Sequence, residues 1–407
     1  MHIATKQSLF KDVKNEIASS RNIKRRLLAM TVKTCSMIPM LDLKKQIAPI
    51  RAEIDAAIEK VIDNTNFILG AEAREFEENA AKYCAVKYAV GVCNGTDAIK
   101  LSLLALGIKR GDAVICPSFT YYATAGAIAA IGAIPVFADI DIDTYNIFPE
   151  SIENILKRNK KYKIKAIIPV HLYGQCADMD GILKIAANFK LKVIEDTAQA
   201  FGAEYNGKKA GTIADCGTVS FFPGKNLGAF GDAGMVLTND KKAADIVRLL
   251  SNQGNQERYF HAALGFNNRL DTLQAAVLNV KLKYLDGWNN KRRENALYFD
   301  ARLKGLALKT PCVAKHTTHI YHQYVLRLNR ASAKLVAHLH SKGIDSRVYY
   351  PVPLHLQECF KDLGYKKGDF PNSEMAASRT LAIPVYPDLT KDEMEYIVAS
   401  IKEFIKC

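Results

Sequence analysis

The chain has 407 residues, of which 49% are hydrophobic and 24% charged, and its formal net charge is +14. This composition is typical of a globular protein and excludes a disordered one, and at about 150 residues per domain the length predicts two domains. No apolar run approaches the about 20 residues that cross a bilayer, so we expect no membrane span and a cytoplasmic location.

The excess positive charge lies mainly in two stretches, residues 1–36 and 157–165. Surfaces that bind nucleic acid combine such charge with recognisable motifs and often with aromatic side chains that stack on bases. Neither stretch interleaves aromatic residues with its lysines and arginines. We therefore predict that the protein has no nucleic-acid partner.

The nine cysteines are scattered along the chain. They form no CxxC pair, and none has a histidine at the spacing of a zinc site. A chain of this size without a secretory signal does not need a disulfide framework. We predict reduced thiols and no metal site.

Residues 1–36 differ from the rest of the chain. Leu9, Phe10, Val13 and Ile17 keep helical spacing, and the basic run at residues 24–26 follows them. A targeting peptide is one interpretation, although the stretch contains acidic residues and no clear cleavage site. We favour a poorly ordered extension, or an upstream start codon with Met37 as the true first residue.

From Leu41 to Tyr83 the apolar spacing predicts helices, broken at residues 64–66 and at Gly70. Short apolar runs then alternate with helix-like stretches. The predicted strands are Ala89–Val92, Ala113–Cys116, Ile134–Ala138, Ala166–Val170, Lys192–Glu195, Thr218–Phe222 and Met235–Thr238. Because these strands show no polar alternation, the sheet is expected to be buried on both faces, as in an α/β domain with a mostly parallel sheet.

The pattern changes after Leu273. We predict one long helix, straight or kinked, from Leu273 to Tyr298 and then a small α+β domain. Its predicted elements are a strand at Val325–Leu328, a helix at Ala333–His340, an extended piece at Leu381–Pro384 and a helix at Lys391–Ile405. The expected division is an extension at 1–36, a large domain at 37–285 and a small C-terminal domain at 286–407.

Ligands of open α/β sheets bind beyond the carboxyl ends of the strands, so the residues that follow each strand are the candidates for a site. Gly95 and Thr96 open a helix, where phosphate groups bind favourably. Tyr121 offers an aromatic face to a flat ligand. Taken singly, each also fits an ordinary turn or a core position.

Two further strand ends carry charge. Asp196 follows an apolar strand, where an acid needs a cation or hydrogen-bond donors. Lys225 lies in a glycine-rich turn after the next strand, and a desolvated lysine is nucleophilic toward a carbonyl. A phosphate cup, an aromatic face, an acid and such a lysine are together what pyridoxal phosphate (PLP) requires.

The sequence resembles the DegT/DnrJ/StrS family of PLP-dependent sugar aminotransferases, which have the fold-type-I, aspartate-aminotransferase-like architecture. The resemblance covers about residues 37–406. The stretches that carry it are IPMLDLKKQ (38–46), NGTDAI (94–99), PSFTYYATA (117–125), HLYGQCADMD (171–180), IEDTAQAFGA (194–203), SFFPGKNLGAFGDAG (220–234), GFNNRLDTLQAAVL (265–278), YYPVPLHLQ (349–357) and GDFPNSE (368–374).

The resemblance implies a role for each matching residue. Lys225 would form the Schiff base with the cofactor and move a proton, and Asp196 would hold the pyridine nitrogen protonated. The implied cofactor contacts are Gln199 at the phenolic oxygen, Tyr121 on the ring, Gly95, Thr96 and Ser220 at the phosphate, and Asn267 at the phosphate of the neighbouring subunit. A homodimer with shared active sites follows from the last of these.

On the substrate side the resemblance points to Tyr349, Tyr350 and His355. Two positions depart from the family pattern: Gly224 stands where Ser or Thr is common, and Tyr349 stands where His is common. The implied reaction is ping-pong. L-glutamate would convert the cofactor to pyridoxamine phosphate (PMP), which would then aminate a keto-sugar nucleotide for a surface polysaccharide or a glycosylated metabolite.

Three alternative functions agree less well with the sequence. A sugar dehydratase of the same family usually has His in place of the lysine, and Lys225 is present. A non-catalytic regulatory homologue would be supported by loss of Lys225 or Asp196, and both are present. A nicotinamide-dependent enzyme would carry GxGxxG at the first strand–helix turn, which is absent here.

Overall fold

A computed structural model describes residues 37–406. The expectations for the N-terminal extension therefore lie outside the described residues. The helices are α1 (Leu43–Ile47), α2 (Arg51–Asn64), α3 (Ala71–Cys84), α4 (Gly95–Ala105), α5 (Ala123–Ala130), α6 (Pro149–Arg158), α7 (Met179–Phe189), α8 (Lys241–Ser251), α9 (Thr272–Leu282), α10 (Leu285–Leu303), α11 (Ala333–Ser341), α12 (Pro371–Arg379) and α13 (Lys391–Lys406).

The strands are β1 (Tyr88–Val92), β2 (Ala113–Pro117), β3 (Ile134–Ala138), β4 (Ile164–Ile167), β5 (Lys192–Asp196), β6 (Glu204–Tyr205), β7 (Lys208–Lys209), β8 (Cys216–Ser220), β9 (Gly234–Thr238), β10 (Asn255–Glu257), β11 (Phe260–His261), β12 (Leu308–Lys309), β13 (Tyr324–Leu328) and β14 (Thr380–Ile383). Short 3₁₀ helices occur at Ala48–Ile50, Leu172–Gly174, Leu354–Leu356 and Glu358–Leu363.

Seven strands form one sheet in the order β1-β9-β8-β5-β4-β2-β3. The pairs from β8 across to β3 are parallel, whereas β9 runs antiparallel to both β1 and β8. Since β1 and β8 then point the same way, β9 is the single reversed strand of this sheet in residues 37–406. The predicted seven-stranded, mostly parallel sheet is confirmed.

The sheet is buried because helices cover both of its faces. Val236 of β9 belongs to an apolar cluster that includes residues of α4 and α8. Its neighbours Met235 and Leu237 point the other way, into a cluster with residues of α3 and α9. This alternation explains why all five residues of β9 are buried and why no polar pattern marks the strand.

The strands β12, β13 and β14 form a separate antiparallel sheet. Its apolar core also receives side chains from α10, α11 and α13. Ile38 joins this core, and its backbone pairs with the chain at Ile344. Lys45 forms an ion pair with Glu393 of α13 at 3.0 Å. The first described residues thus pack against the C-terminal part of the chain.

Some predicted boundaries differ from the observed ones. The single helix expected from Leu273 to Tyr298 is two helices, because the chain turns at Lys283 and Tyr284 between α9 and α10. The strand predicted at Thr218–Phe222 begins and ends two residues earlier, since residues beyond Ser220 turn away toward the cavity described below.

Between residues 37 and 406, none of the helices is both long and apolar enough to cross a membrane.

Candidate active site

A cavity of about 830 Å³ lies at the carboxyl edge of the large sheet, where the C-terminal part of the chain closes over it. Nine of the residues singled out from the sequence line this one cavity. They are Gly95, Thr96, Tyr121, Asp196, Gln199, Ser220, Lys225, Tyr349 and Tyr350. The first seven converge because β1, β2, β5 and β8 run in the same direction and end at the same edge, whereas Tyr349 and Tyr350 come from the C-terminal part of the chain.

Asp196 is a buried carboxylate at the end of β5. Thr124 Oγ1 donates to its Oδ2 at 2.8 Å, and the backbone N–H of Ala198 donates to its Oδ1 at 3.1 Å. Burial raises the pKa of Asp196, whereas these two donors and the charge of Lys225 oppose the increase. The carboxylate can therefore face the cavity ionised if a cation reaches it.

Behind Asp196 lies a second buried carboxylate, that of Glu195. His171 Nε2 contacts its Oε2 at 2.9 Å, and the N–H of Ala177 donates to His171 Nδ1 at 3.1 Å. Because Nδ1 accepts, the ring proton is on Nε2 and is donated to Glu195. The backbone of His171 also pairs with that of Asp196, whose carbonyl accepts from the His171 N–H at 2.9 Å. This network fixes the end of β5.

Lys225 lies in the connection between β8 and β9, which is held by backbone hydrogen bonds. The N–H of Lys225 donates to Phe222 O, and the N–H of Ala229 donates to Phe221 O, both at 2.8 Å. Desolvation by the cavity wall lowers the pKa of Lys225 to about 8, despite the attraction of Asp196. A lysine with this pKa loses its proton more readily than a solvated one and presents a neutral, nucleophilic amine above about pH 8.

The turn at Gly95 is tightly packed. A Cβ atom on Gly95 would lie 2.7 Å from the Ser220 Cβ, and one on Gly234 would lie 2.4 Å from the Asn94 carbonyl carbon. The Asn94 side chain accepts from the N–H of Asp97 at 2.8 Å and caps α4. The start of α4 thus lies at the cavity wall beside Thr96 and Ser220, an arrangement that suits an anion.

Aromatic side chains form the opposite wall. The rings of Tyr121 and Tyr350 have centroids 5.9 Å apart, and Tyr121 is 57% exposed. Gln199 Nε2 donates to the Tyr350 hydroxyl at 2.8 Å, and its Oε1 accepts from the N–H of Tyr173, also at 2.8 Å. The Tyr173 hydroxyl donates a hydrogen bond to the carbonyl oxygen of Tyr349. Tyr121 therefore offers an exposed aromatic ring to a ligand in the cavity.

Two predicted site residues lie elsewhere. The side chain of His355 is buried, contacts Glu374 with Nε2 at 3.1 Å and packs against the ring of Phe370. It does not line the cavity, so this placement gives no support to the predicted substrate contact. Asn267 is exposed and also outside the cavity of its own chain; its backbone pairs with Asn252.

Other residues of the site were not predicted from the sequence. Thr124 holds Asp196, yet it lies inside an apolar helix and has no distinguishing pattern. Arg292 and His322 come from α10 and from the residues before β13. Only the fold brings them to the cavity. The positions of Asp196 and Lys225 at the ends of successive strands allowed these two residues to be predicted. That pattern does not apply to residues of the C-terminal part of the chain.

Comparison with known proteins places this site in a family. A profile described as the DegT/DnrJ/EryC1/StrS aminotransferase family matches residues 48–402. The chain belongs to this family, as the sequence motifs predicted.

Three relatives illustrate the range of the family. A pleiotropic regulatory protein of Geobacillus stearothermophilus is 45% identical, over 91% of this chain and 99% of its own. A UDP-N-acetyl-3-dehydro-alpha-D-glucosamine 3-aminotransferase of Acidithiobacillus ferrooxidans is 42% identical, over 90% and 97%. A UDP-2-acetamido-2-deoxy-3-oxo-D-glucuronate aminotransferase of Pseudomonas aeruginosa is 40% identical, over 90% and 99%.

Solved structures confirm the fold. DesV of Streptomyces venezuelae matches with a TM-score of 0.88 at 39% identity, over 91% of this chain and 99% of that one. The ntda protein of Bacillus subtilis, solved with bound PMP, matches with a TM-score of 0.84 at 32% identity, over 92% and 87%. The fold-type-I architecture expected from the resemblance is that of these proteins.

Proposed function

We propose that this protein is a PLP-dependent aminotransferase that moves an amino group from L-glutamate to the ketone of a nucleotide-linked sugar. The observation that carries the proposal is the meeting of Lys225 and Asp196 in one cavity beside the Gly95 turn. A nucleophilic lysine, a buried acid and an anion seat are the three fixed requirements of this cofactor.

The described residues fit the cofactor. Gly95 begins α4, whose first N–H groups have no partner within the helix, and it packs directly against Ser220. Thr96 and Ser220 line the same end of the cavity. We propose that these residues hold the phosphate, as in a helix-terminus anion site. The B. subtilis relative was solved with bound PMP, which supports the choice of cofactor.

The remaining roles follow from position. Asp196 would hold a proton on the pyridine nitrogen, Tyr121 would stack on the ring, and Gln199 would donate to the phenolic oxygen through the Nε2 that contacts Tyr350 here. The bound cofactor supplies a sink for the electrons of a carbanion. Lys225 would remove and return the proton at the substrate carbon, and its lowered pKa suits that exchange.

The names of two relatives narrow the acceptor. Both the A. ferrooxidans and the P. aeruginosa enzymes are named for UDP-linked 2-acetamido sugars that carry the ketone at ring position 3. We therefore propose a nucleotide-linked sugar with a ketone at this position. Tyr349 and Tyr350 line the cavity toward the C-terminal part of the chain and are the proposed sugar contacts.

The test is the visible spectrum of the purified protein incubated with PLP. We expect a yellow protein whose long-wavelength band L-glutamate bleaches, and we expect a 3-keto-sugar nucleotide to restore the band. Lys225→Ala should hold PLP without the covalent band and lose turnover by at least about a thousandfold, because the residue exchanges the proton in every half-reaction.

A protein that takes up no PLP would refute the proposal. That outcome would favour the regulatory role after which the G. stearothermophilus relative is named. Full activity in Lys225→Ala would refute the role of the lysine. A protein that binds the cofactor and removes water from the sugar nucleotide, without consuming an amino donor, would indicate a dehydratase instead.

A further inference from the structure

Arg292 is a buried cation in the wall of the active-site cavity. It belongs to α10, is only 3% exposed and lines the cavity. Its Nη1 donates to the carbonyl oxygens of Tyr321 at 3.2 Å and His322 at 3.5 Å. Its Nε is buried and has no partner. Part of the guanidinium edge is therefore free to bind a ligand.

No carboxylate within the described residues lies within 4.0 Å of this guanidinium. Arg347, another arginine of the cavity, differs because it is 61% exposed at its side chain and already pairs with Asp345 at 3.2 Å. Asp388 attracts Arg292 from a greater distance without forming an ion pair. A desolvated charge without a counter-ion is costly, so a protein that retains one in a cavity commonly supplies it with an anionic ligand.

Arg292 and the reactive lysine, Lys225, are linked through the residue His322. His322 lies between the two: its carbonyl accepts from Arg292, and its ring Nδ1 contacts Oδ1 of Asn226, the residue after Lys225, at 3.1 Å. Burial, and then the positive charges of Lys225 and Arg292, hold the pKa of His322 well below its usual range. The imidazole is thus neutral and leaves Arg292 as the cation available for an anion next to the lysine.

We propose that Arg292 binds a carboxylate of the amino-acid donor. An α-amino acid carries its carboxylate on the carbon that also bears the amine, so the group that binds it must lie near the reactive lysine. Gln323, the residue after His322, also lines this wall and has a buried Oε1 without a partner. Arg292 Nε thus lacks an acceptor and Gln323 Oε1 lacks a donor; the carboxylate of an amino acid would supply the first and its ammonium group the second. This inference rests on the proposed aminotransferase function.

The test separates the two halves of the reaction. PLP-loaded protein is mixed with increasing L-glutamate, and the bleaching rate gives an apparent Kd and a limiting rate. Arg292→Gln should raise the Kd at least about 30-fold, the factor for removing one partner of a buried charge pair. The reaction of the PMP-loaded variant with the keto-sugar nucleotide should stay within about threefold of wild type. Arg292→Lys should recover part of the affinity, since it retains the charge.

A matched control is the neighbouring residue. Arg293 contacts Asn290 and does not line the cavity, so Arg293→Gln should leave both half-reactions unchanged.

Binding can also be measured without the reaction, by using glutarate, which has two carboxylates but no amine. Glutarate should raise the Tm of wild type and of Arg293→Gln but not of Arg292→Gln. Repeating the titration with L-alanine shows which carboxylate is bound, because only the α-carboxylate is common to both amino acids.

The contradicting outcomes are distinct. If wild type binds PLP but is bleached by no amino acid, the proposed function fails and this inference fails with it. If wild type is bleached and Arg292→Gln shows the same dependence on L-glutamate, only this inference fails. Equal losses in both half-reactions, with a lowered Tm, would assign Arg292 to the packing of α10 instead.

Discussion

Asp196 depends on a hydroxyl that carries no charge. Thr124 Oγ1 is fully buried and donates to the carboxylate at 2.8 Å, while Thr120 Oγ1 lies 3.4 Å behind it. Hydrogen bonds to an ionised group are worth about 1.5–3 kcal/mol, roughly twice a neutral one. Thr124 thereby helps to keep Asp196 ionised in a buried position.

We predict that Thr124→Val weakens PLP binding by at least about tenfold, because loss of this donor raises the pKa of Asp196 further. Equilibrium titration of the apoprotein with PLP measures the effect. Thr124→Ser keeps the hydroxyl and serves as the control. Equal PLP affinity in the Val and Ser variants would show that the Ala198 N–H is a sufficient donor.

The second prediction at this scale concerns pH. With the pKa of Lys225 lowered to about 8, the amine is protonated below pH 8 and neutral above it. Since only the neutral amine attacks an aldehyde, the rate of PLP capture should rise by about tenfold per pH unit up to pH 8 and then level off. The growth of the visible band after mixing apoprotein with PLP measures it.

Lys281 is a useful check on this experiment. Burial lowers its pKa to about 8 as well, but its amine donates to Gly228 O and does not line the cavity. Lys225→Ala should therefore abolish the pH-dependent band completely. A residual band with the same midpoint would point to Lys281 or to a surface lysine.

At the scale of elements, the reversed strand β9 shapes the site. Because β9 is antiparallel to β8, its first residue, Gly234, arrives at the same edge as the ends of β1 and β8. There it packs directly against the backbone of Asn94 and Gly95. The position of the anion seat at the start of α4 thus depends on the absence of a side chain at residue 234.

We predict that Gly234→Ala destabilises the protein by about 1–3 kcal/mol, the usual cost of overpacking, and displaces the Gly95 turn. Gly224→Ala, in the connection that leads to β9, is the control, because its Cβ would make only ordinary van der Waals contacts, with the Phe222 ring at 3.8 Å and with Leu41 at 4.0 Å. Urea unfolding and PLP titration of both variants measure the difference. Equal behaviour would mean that the turn adapts without cost.

Elements of the fold were predictable to different degrees. The strand Ile134–Ala138 was predicted at its observed bounds because Gly132 and the residues after Ala138 punctuate it. The break between α9 and α10 was missed, since Leu282 and Leu285 continue the apolar spacing across it. The site residues that follow parallel strands were predictable from topology alone. Arg292 was not, because an arginine on a helix ordinarily faces solvent.

At the scale of the whole molecule, a homodimer with shared sites stays a prediction. Among the described residues near Asn267, three apolar side chains are strongly exposed: Tyr259 at 78%, Phe260 at 70% and Leu264 at 97%. Clustered exposed apolar side chains of this kind commonly mark an interface. They lie on or beside the hairpin formed by β10 and β11.

Complementation between subunits tests this prediction. If each site combines Lys225 of one subunit with Asn267 of the other, Lys225→Ala and Asn267→Ala homodimers are both defective. A heterodimer of the two variants then has one intact site, so random pairing restores about a quarter of all sites. Activity of co-expressed variants, with the mass in solution, measures it. Restoration that stays at background would show that Asn267 acts within its own subunit or not at all.

The pairing of Ile38 with the chain beside Ile344 has a practical consequence for cutting the protein into pieces. The N–H of Ile38 donates to Gly343 O at 2.8 Å, and the N–H of Asp345 donates to Ile38 O at 2.9 Å. A recombinant fragment that starts at residue 286 would therefore lack Ile38 and leave its place in the apolar core beside β13 and β14 unfilled. A synthetic peptide of residues 37–47 is the natural partner to restore it, and a purification tag joined directly to Met37 would stand close to the cavity that Pro39 lines.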